Sequence, residues 1–548
     1  MKRIYLIPFL FLLIFLYSCS SQNNPSLNKK EDPKRDYKEA SPITILILPT
    51  QSPGDIYERF LPLKYYLEDK IKRPILLKIS RSYEDTITDI EKGSVHMAFL
   101  DPMTYCEIRA KYKNRLIPLV KPIGTNGSTE RSVLVVKDNS NIDKVADLKG
   151  KRLALGNTRS SFSYLVPLSM IRDVNLSLND FVRVDFLEKE DRVALSVLVG
   201  YHDVGAISKG IAKKYLSDGL KIIKESEAIN SFVFCASNVL SKEIRDEILN
   251  ALILLKDKEI LSKLDPEIDS LVTADDRDFD IVRIMIKNLT GRDYIEYGPK
   301  TIKVAILPLY SAITLYNRYD PLMRYLSKKT GYEFKLLIPK DFDDFMNIVK
   351  RRDVDFSYQN PYIFALIDKE TDIKPLVTTI DKDNEGGRDE FRGVIITRQD
   401  SPIRGARDLR NKRVLITSFK SAGGFLSQHL YLKQMGIDTQ RDMKLIDAKR
   451  QENVIIGVYR GEADAGFVRE SALTVAKDIV DMNMIRVIVK TTPLPNWPFA
   501  AVREIESPLS KEVKRILIEL NDRDILNSAN IKGFKKADES EFEMLKQY

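Results

Sequence analysis

Three cysteines, three histidines and one tryptophan in 548 residues leave little material for thiol, metal or redox chemistry. His96, His202 and His429 stand far apart, with none of the short spacings that hold zinc. No G-x-S-x-G, P-loop or H-E-x-x-H pattern occurs, and no nucleophile–base pair is visible, so no catalytic centre, metal or cofactor is expected. A concentrated basic stripe is missing too: 87 Lys and Arg against 78 Asp and Glu give a net +9. Both signs are spread over helical faces, which argues against a nucleic-acid surface. The apolar run at residues 4–17 falls short of the roughly 20 residues that span a membrane comfortably. What remains, 43% hydrophobic and 30% charged, is ordinary folded material. It is too long for one hydrophobic core, so at least two packed units are expected, and four in all.

The amino terminus carries the sharpest local pattern. Lys2 and Arg3 precede the apolar run, which ends in Leu16-Tyr17-Ser18-Cys19. This resembles the lipobox of bacterial lipoproteins, and implies a signal peptide at 1–18 and lipidation of Cys19. An uncleaved anchor, or an ordinary signal peptide with a chance cysteine, is the alternative reading of the same residues. The polar stretch 19–42 then reads as a tether that holds the folded part at a membrane surface. Cys106 and Cys235 lie 129 positions apart. That spacing does not decide whether they pair, and they read best as small buried hydrophobes.

From residue 43 onward the chain repeats itself. Ile45-Leu46-Ile47-Leu48-Pro49 returns as Val304-Ala305-Ile306-Leu307-Pro308, at an offset of 259. The same offset carries Phe60, Leu63 and Leu67 onto Tyr319, Leu322 and Leu326, at helical spacing, and Pro102 onto Pro361. Asp147-Leu148-Lys149-Gly150-Lys151-Arg152-Leu153 matches Asp408-Leu409-Arg410-Asn411-Lys412-Arg413-Val414 at 261, as Gly200 and Asp203 match Gly461 and Asp464. Near the ends, Ala274-Asp275-Asp276 and Phe279 match Ala537-Asp538-Glu539 and Phe542 at 263. The chain is a duplication, with modules expected at 43–290 and 301–548 and a linker at 291–300. Strands at 43–48, 75–79, 97–100, 132–136 and 152–155 alternate with helices such as 56–70 and 83–92. Such alternation predicts α/β units with mainly parallel sheets.

The strand-Leu-Pro opening, the Asp-Leu-Lys-Gly-Lys-Arg-Leu block and the Ser-rich helix start at 157–167 together resemble the phosphate, phosphite and phosphonate family of periplasmic solute-binding proteins. The second copy supplies Ser418-Phe419-Lys420-Ser421-Ala422-Gly423-Gly424 at the helix start, and Pro495-Asn496-Trp497-Pro498-Phe499 as a late Pro-rich loop. The resemblance implies tandem type-II binding-protein modules, each with two α/β lobes, a hinge and a cleft between them. It implies a small oxyanion (phosphonate, phosphite or phosphate-like) held at a helix N-terminus, where unpaired N–H groups and the helix dipole favour negative charge. Ser160, Ser161 and Ser421 would add hydroxyls, Gly423 and Gly424 would let the backbone approach, and Ala422 is a candidate contact in the same turn. Ordinary capping by serine explains the same residues.

Other family positions transfer unevenly. An aromatic falls on Tyr83 and Phe342, and another near Glu130 and Phe391. The family histidine becomes Glu190 and Gln451, and the loop aspartate becomes Trp497, with Asn230 or Ser231 nearest in the first copy. The second copy keeps the fuller candidate pocket, Tyr310, Tyr358, Gln359, Asn360, Ser421 and Trp497. The first, with Phe99, Asp101 and Met103, is expected either to bind something different or to act as a spacer.

The reading is a non-enzymatic, monomeric, lipid-anchored receptor on the periplasmic side that hands solute to an ABC permease. The alternative is a sensing or scaffold lipoprotein that signals to a partner membrane protein. Replacing Cys19→Ala should move the protein from the membrane to the soluble fraction and abolish labelling by a fatty-acid probe. Cell fractionation measures the first effect and in-gel detection the second.

Overall fold

The computed structural model describes residues 41–124, 130–174, 176–381, 390–476 and 480–547. The expected signal peptide, Cys19 and most of the tether lie outside them. No described helix is long and apolar enough to cross a membrane.

Each half opens with a strand (Ile43–Ile47; Thr301–Ile306) leading into a 19-residue helix (Pro53–Ile71; Ala312–Thr330). Ser52 and Ser311 cap the two helices through their side chains, accepting from the N–H groups of Asp55 and Thr314. The first helix buries Ile56, Phe60, Leu63, Leu67 and Ile71, one stripe at 3.6-residue spacing. Both helices carry an internal proline at the same place, Pro62 and Pro321, so even the missing N–H is duplicated. Gly331 ends the second helix in the left-handed region at φ 74°, where a glycine is unstrained.

The first lobe of the amino-terminal half is a six-stranded sheet in the order Ser270–Thr273, Leu116–Ile123, Val233–Ser237, Met97–Leu100, Ile43–Ile47, Ile75–Ile79. Its carboxy-terminal counterpart runs Ile531–Lys536, Lys374–Asp381, Pro498–Ala501, Phe356–Tyr358, Thr301–Ile306, Glu333–Leu337, the same order. The second lobes are five-stranded and also equivalent: Arg183–Phe186, Arg152–Leu155, Val204–Ser208, Ser132–Lys137, Leu220–Glu225, against Lys444–Asp447, Arg413–Ile416, Ala465–Arg469, Gly393–Arg398, Ile485–Lys490. The expectation of mainly parallel sheets needs correcting. The opening strands pair in parallel, but Val233–Ser237 returns from the second lobe and inserts antiparallel between Met97–Leu100 and Leu116–Ile123. A chain that leaves a sheet and crosses back into it produces this mixed pairing. At the crossing, Glu130 bridges Ile229 in the first half, and Glu390–Phe391 pairs with Leu494–Pro495 in the second.

Residues 291–300 are no free tether. Ile295 is buried, Lys335 donates to the Glu296 carbonyl at 2.9 Å, and the Lys303 ammonium lies 4.3 Å from the centre of the Tyr297 ring. One apolar core runs unbroken from the first half, through Phe279, Ile281, Met285 and Ile286, to Val304, Leu322 and Phe334 of the second. Around it lies a charged joint. Arg283, 2% exposed, donates to the Asp280 carboxylate and, through Nη2, to the Asp276 carboxylate, each at 2.7 Å. Tyr105 donates to the same Asp276 oxygen at 2.7 Å. Burial pulls the Asp276 carboxyl up, but the Arg283 charge and these hydrogen bonds outweigh it and hold the group below its usual range. Arg277–Asp320 (3.2 Å) and Arg324–Asp278 (3.0 Å) carry the network across the boundary between the halves.

Removing the central guanidinium takes from the buried Asp280 carboxylate and the partly buried Asp276 carboxylate the cation they share. Arg283→Met should therefore cost about 3–5 kcal/mol. Urea denaturation followed by tryptophan fluorescence and circular dichroism measures the loss.

Candidate functional site

The helix that follows Arg152–Leu155, and its counterpart after Arg413–Ile416, begin with a wide first turn (Ser161–Leu165; Ala422–Leu426). The turn closes by five-residue bonds, Leu165 N–H to Ser160 carbonyl at 3.1 Å and Leu426 N–H to Ser421 carbonyl at 2.9 Å. Such π-type turns are rare and concentrate at functional sites. Ser160 and Ser421 are the caps, their hydroxyls accepting from Ser163 N–H (3.2 Å) and Gly424 N–H (3.0 Å). Both turns sit where the two lobes of their module face each other.

In the first module the turn is already occupied by the protein's own carboxylate. Asp101 accepts the Ser161 N–H at 2.8 Å and the Ser161 hydroxyl at 2.7 Å, and it also caps the helix Pro102–Tyr112. Ser161 is fully buried by these bonds, so the expectation that it offers donors to an oxyanion is corrected: Asp101 takes them. Tyr83 is buried behind Ser160 and shares a hydrogen bond with it.

Beside this turn lies a cavity of about 490 Å³ between the lobes. Its lining includes Phe99, Phe162 and Phe232, and six carboxyl groups against three cations. Burial pushes Asp101 up to about 6 against its hydrogen bonds, and Glu190 up to about 6 against those from Ser208. Glu130 goes up to about 8, by burial first and then by the charges of Asp265 and Glu190. Glu190 also has a structural task, accepting the Ser208 N–H at 2.9 Å, as Gln451 accepts the Arg469 N–H at 2.9 Å.

Besides Glu190 against Gln451, the second module differs at three more equivalent positions. Asn360 stands for Asp101, Phe391 for Glu130 and Arg469 for Ser208. Asn360 caps the helix Pro361–Thr371, accepting from Tyr362 and Ile363 N–H at 3.0 and 2.9 Å. Arg469 crosses the cleft to pair with Asp381, donates to Asn496 Oδ1 at 3.2 Å, and lies 4.5 Å from the Phe391 ring centre. Its Nε is buried without a hydrogen-bond partner. The space left is a cavity of about 50 Å³ that Tyr310, Tyr358, Trp497, Arg318 and Asn496 line. Tyr358 packs on Trp497 with ring centres 5.3 Å apart and shares a 2.8 Å hydrogen bond with Thr379.

Of the residues singled out in the second copy, Tyr310, Tyr358 and Trp497 thus meet at one cavity. Gln359, Asn360, Ser421, Ala422 and Gly423 are buried beside it. Gln359 makes no side-chain hydrogen bond with either amide atom. Gly423 is needed for close approach: a Cβ there would meet the Arg469 side chain at 2.9 Å and Phe391 at 3.1 Å. The second copy, expected to keep the fuller set of pocket residues, encloses the smaller space, because Arg469 and Asp381 lie in it.

Sequence reasoning missed Arg59, Asp265, Gln51, Arg469 and Asp381. Two of them left a trace: the 261-residue offset sets Arg469 against Ser208 at a strand end, and the 259-residue offset sets Arg59 on Arg318. Cys106 and Cys235 are both free and buried.

A family model described as "ABC transporter, phosphonate, periplasmic substrate-binding protein" matches residues 45–279 and again 304–542. The chain is 24% identical over 252 residues to the phosphate-import protein PhnD of Mycolicibacterium smegmatis, covering 43% of this chain and 75% of that protein. It is 24% identical over 231 residues to the tetrathionate sensor histidine kinase TtrS of Salmonella typhimurium, covering 40% of this chain and 39% of the kinase. Among solved structures, PhnD1 of Prochlorococcus marinus in complex with methylphosphonate aligns with a TM-score of 0.43 at 15% identity, covering 46% of this chain and 99% of that one.

Glu130 shares the cavity with Asp265, Glu190 and Asp101, and with Arg59, Lys214 and Lys263 as the cations of its lining. Its folded-state value of about 8 lies above the roughly 4.3 of an unfolded glutamate, so the folded chain keeps a proton that the unfolded chain has released. Stability through this group therefore falls as pH rises from about 4.3 to about 8. Glu130→Gln should be more stable than the parent at pH 9 by about 1–3 kcal/mol, the gain fading below pH 5. Chemical denaturation at the two pH values checks it.

Proposed function

The chain belongs, through both of its halves, to the phosphonate periplasmic substrate-binding protein family of ABC transporters, and from that premise we propose that it is an extracytoplasmic receptor, lipid-anchored at Cys19, whose second module takes a small oxyanion for delivery to an ABC permease. The observation that carries the anion reading is Arg469. Its guanidinium is buried between the lobes, paired with an internal carboxylate and short of one hydrogen bond. Asp381 is then a resident stand-in that a solute oxyanion displaces when the clamp opens. Arg318, stacked 4.4 Å from the Tyr310 ring centre, is a second cation at the same wall. Asn360 adds no charge where the first module has Asp101, so an anion at the turn 421–424 meets no fixed carboxylate there. Tyr358 and Trp497 supply flat apolar walls for a short organic substituent.

A sensing role has one specific support. The second lobes of the two modules are tied together, Arg450 to Asp173 at 2.8 Å and Lys144 over the Tyr459 ring at 4.6 Å. Closure of one cleft would then pull on the other, which suits a signal passed to a partner.

Isothermal titration of the whole chain with phosphate, phosphite and methylphosphonate tests the anion reading. Asp381→Asn should tighten binding by about tenfold or more by removing the internal competitor, while Arg469→Met should abolish it. Binding of all three anions unchanged in Arg469→Met would sink the assignment.

A further inference from the structure

We propose that the first module binds a solute of opposite charge, an organic cation with an amine or guanidinium head and an apolar body, in the cavity between its lobes. The cavity, at about 490 Å³, is of the size that holds a small organic molecule. Asp101, Glu130, Glu190 and Asp265 converge on it from both lobes and the crossing strands. Like charges gathered in a buried site oppose each other's ionisation, and a cation among them relieves that opposition where an oxyanion would add to it. The donors that an oxyanion would need at the helix turn are already spent on Asp101.

Independent of the charges, Gln51 lines the cavity at 9% exposure, and among the described residues its side-chain amide has no hydrogen-bond partner. It is an unused donor and acceptor aimed at whatever sits there. Phe99 and Phe232, with ring centres 4.3 Å apart, line it with aromatic surface, which suits a cation. The protein itself shows the chemistry: the Arg59 guanidinium lies 5.8 Å from the Phe99 ring centre and beside the charge of Asp265. A metal ion fits less well. Among the described residues, no three His, Cys, Asp or Glu side chains stand close enough to hold one, whereas an organic cation needs only charge and an apolar wall.

The test is differential scanning fluorimetry and calorimetry on the whole chain, with putrescine, agmatine and choline as cationic probes and phosphate and methylphosphonate as anionic ones. At saturating concentration at least one cationic probe should raise the midpoint by about 3 °C or more. Asp265→Asn and Glu130→Gln should weaken that probe about tenfold or more while leaving anion binding unchanged, and Arg469→Met should leave it untouched. A shift by anions alone overturns the cation proposal and leaves the receptor reading standing. No shift by either class overturns both. A cationic probe that binds equally well to both carboxyl variants also overturns it, since it then sits elsewhere.

Discussion

The guanidinium of Arg283, buried between the carboxylates of Asp276 and Asp280, is the interaction on which the rest of the arrangement depends. It sets the start of the helix Asp280–Thr290, whose apolar face joins the cores of both halves. Once that helix is fixed, the first half reaches both lobes of the second. Asn288 donates to the Ile338 carbonyl at 3.1 Å in one lobe, and Asp173 accepts from Asn453 at 3.2 Å in the other. Two modules that could have hung from a linker are instead one body. The cost is a set of desolvated charges that persist only because each has a partner.

Within that body the two clefts are the same structure with different electrostatics. Strand order, capping serines, wide helix turns and even the internal prolines are duplicated. Among the exchanges that separate them are Asp101 against Asn360, Glu130 against Phe391, Glu190 against Gln451 and Ser208 against Arg469. The first set gathers carboxyl groups around a large cavity, and the second places an arginine across a small one. Duplication supplied two equivalent scaffolds, and side chains at the strand ends gave each a different charge.

Two copies of one binding fold carry different solutes most simply when their charges differ, because Coulomb attraction and desolvation discriminate by sign before shape does. Glu190 and Gln451 show how narrow the change can be. Both accept the same backbone N–H at the start of the next segment, so the framework is kept while one carries a charge and the other does not.

The architecture was legible in the sequence because it rests on local periodicity and on repetition. Apolar residues at 56, 60, 63 and 67 mark a helix face, and a register held over some 260 residues marks two modules, whatever those faces pack against. Antiparallel return of Val233–Ser237 was not legible, since strand direction within a sheet depends on where the chain re-enters it. Neither was the charge of the clefts. Asp265 and Glu130, or Arg469 and Asp381, are 135 and 88 positions apart. Only folding brings such pairs within reach, and only then does burial turn ordinary surface residues into a site.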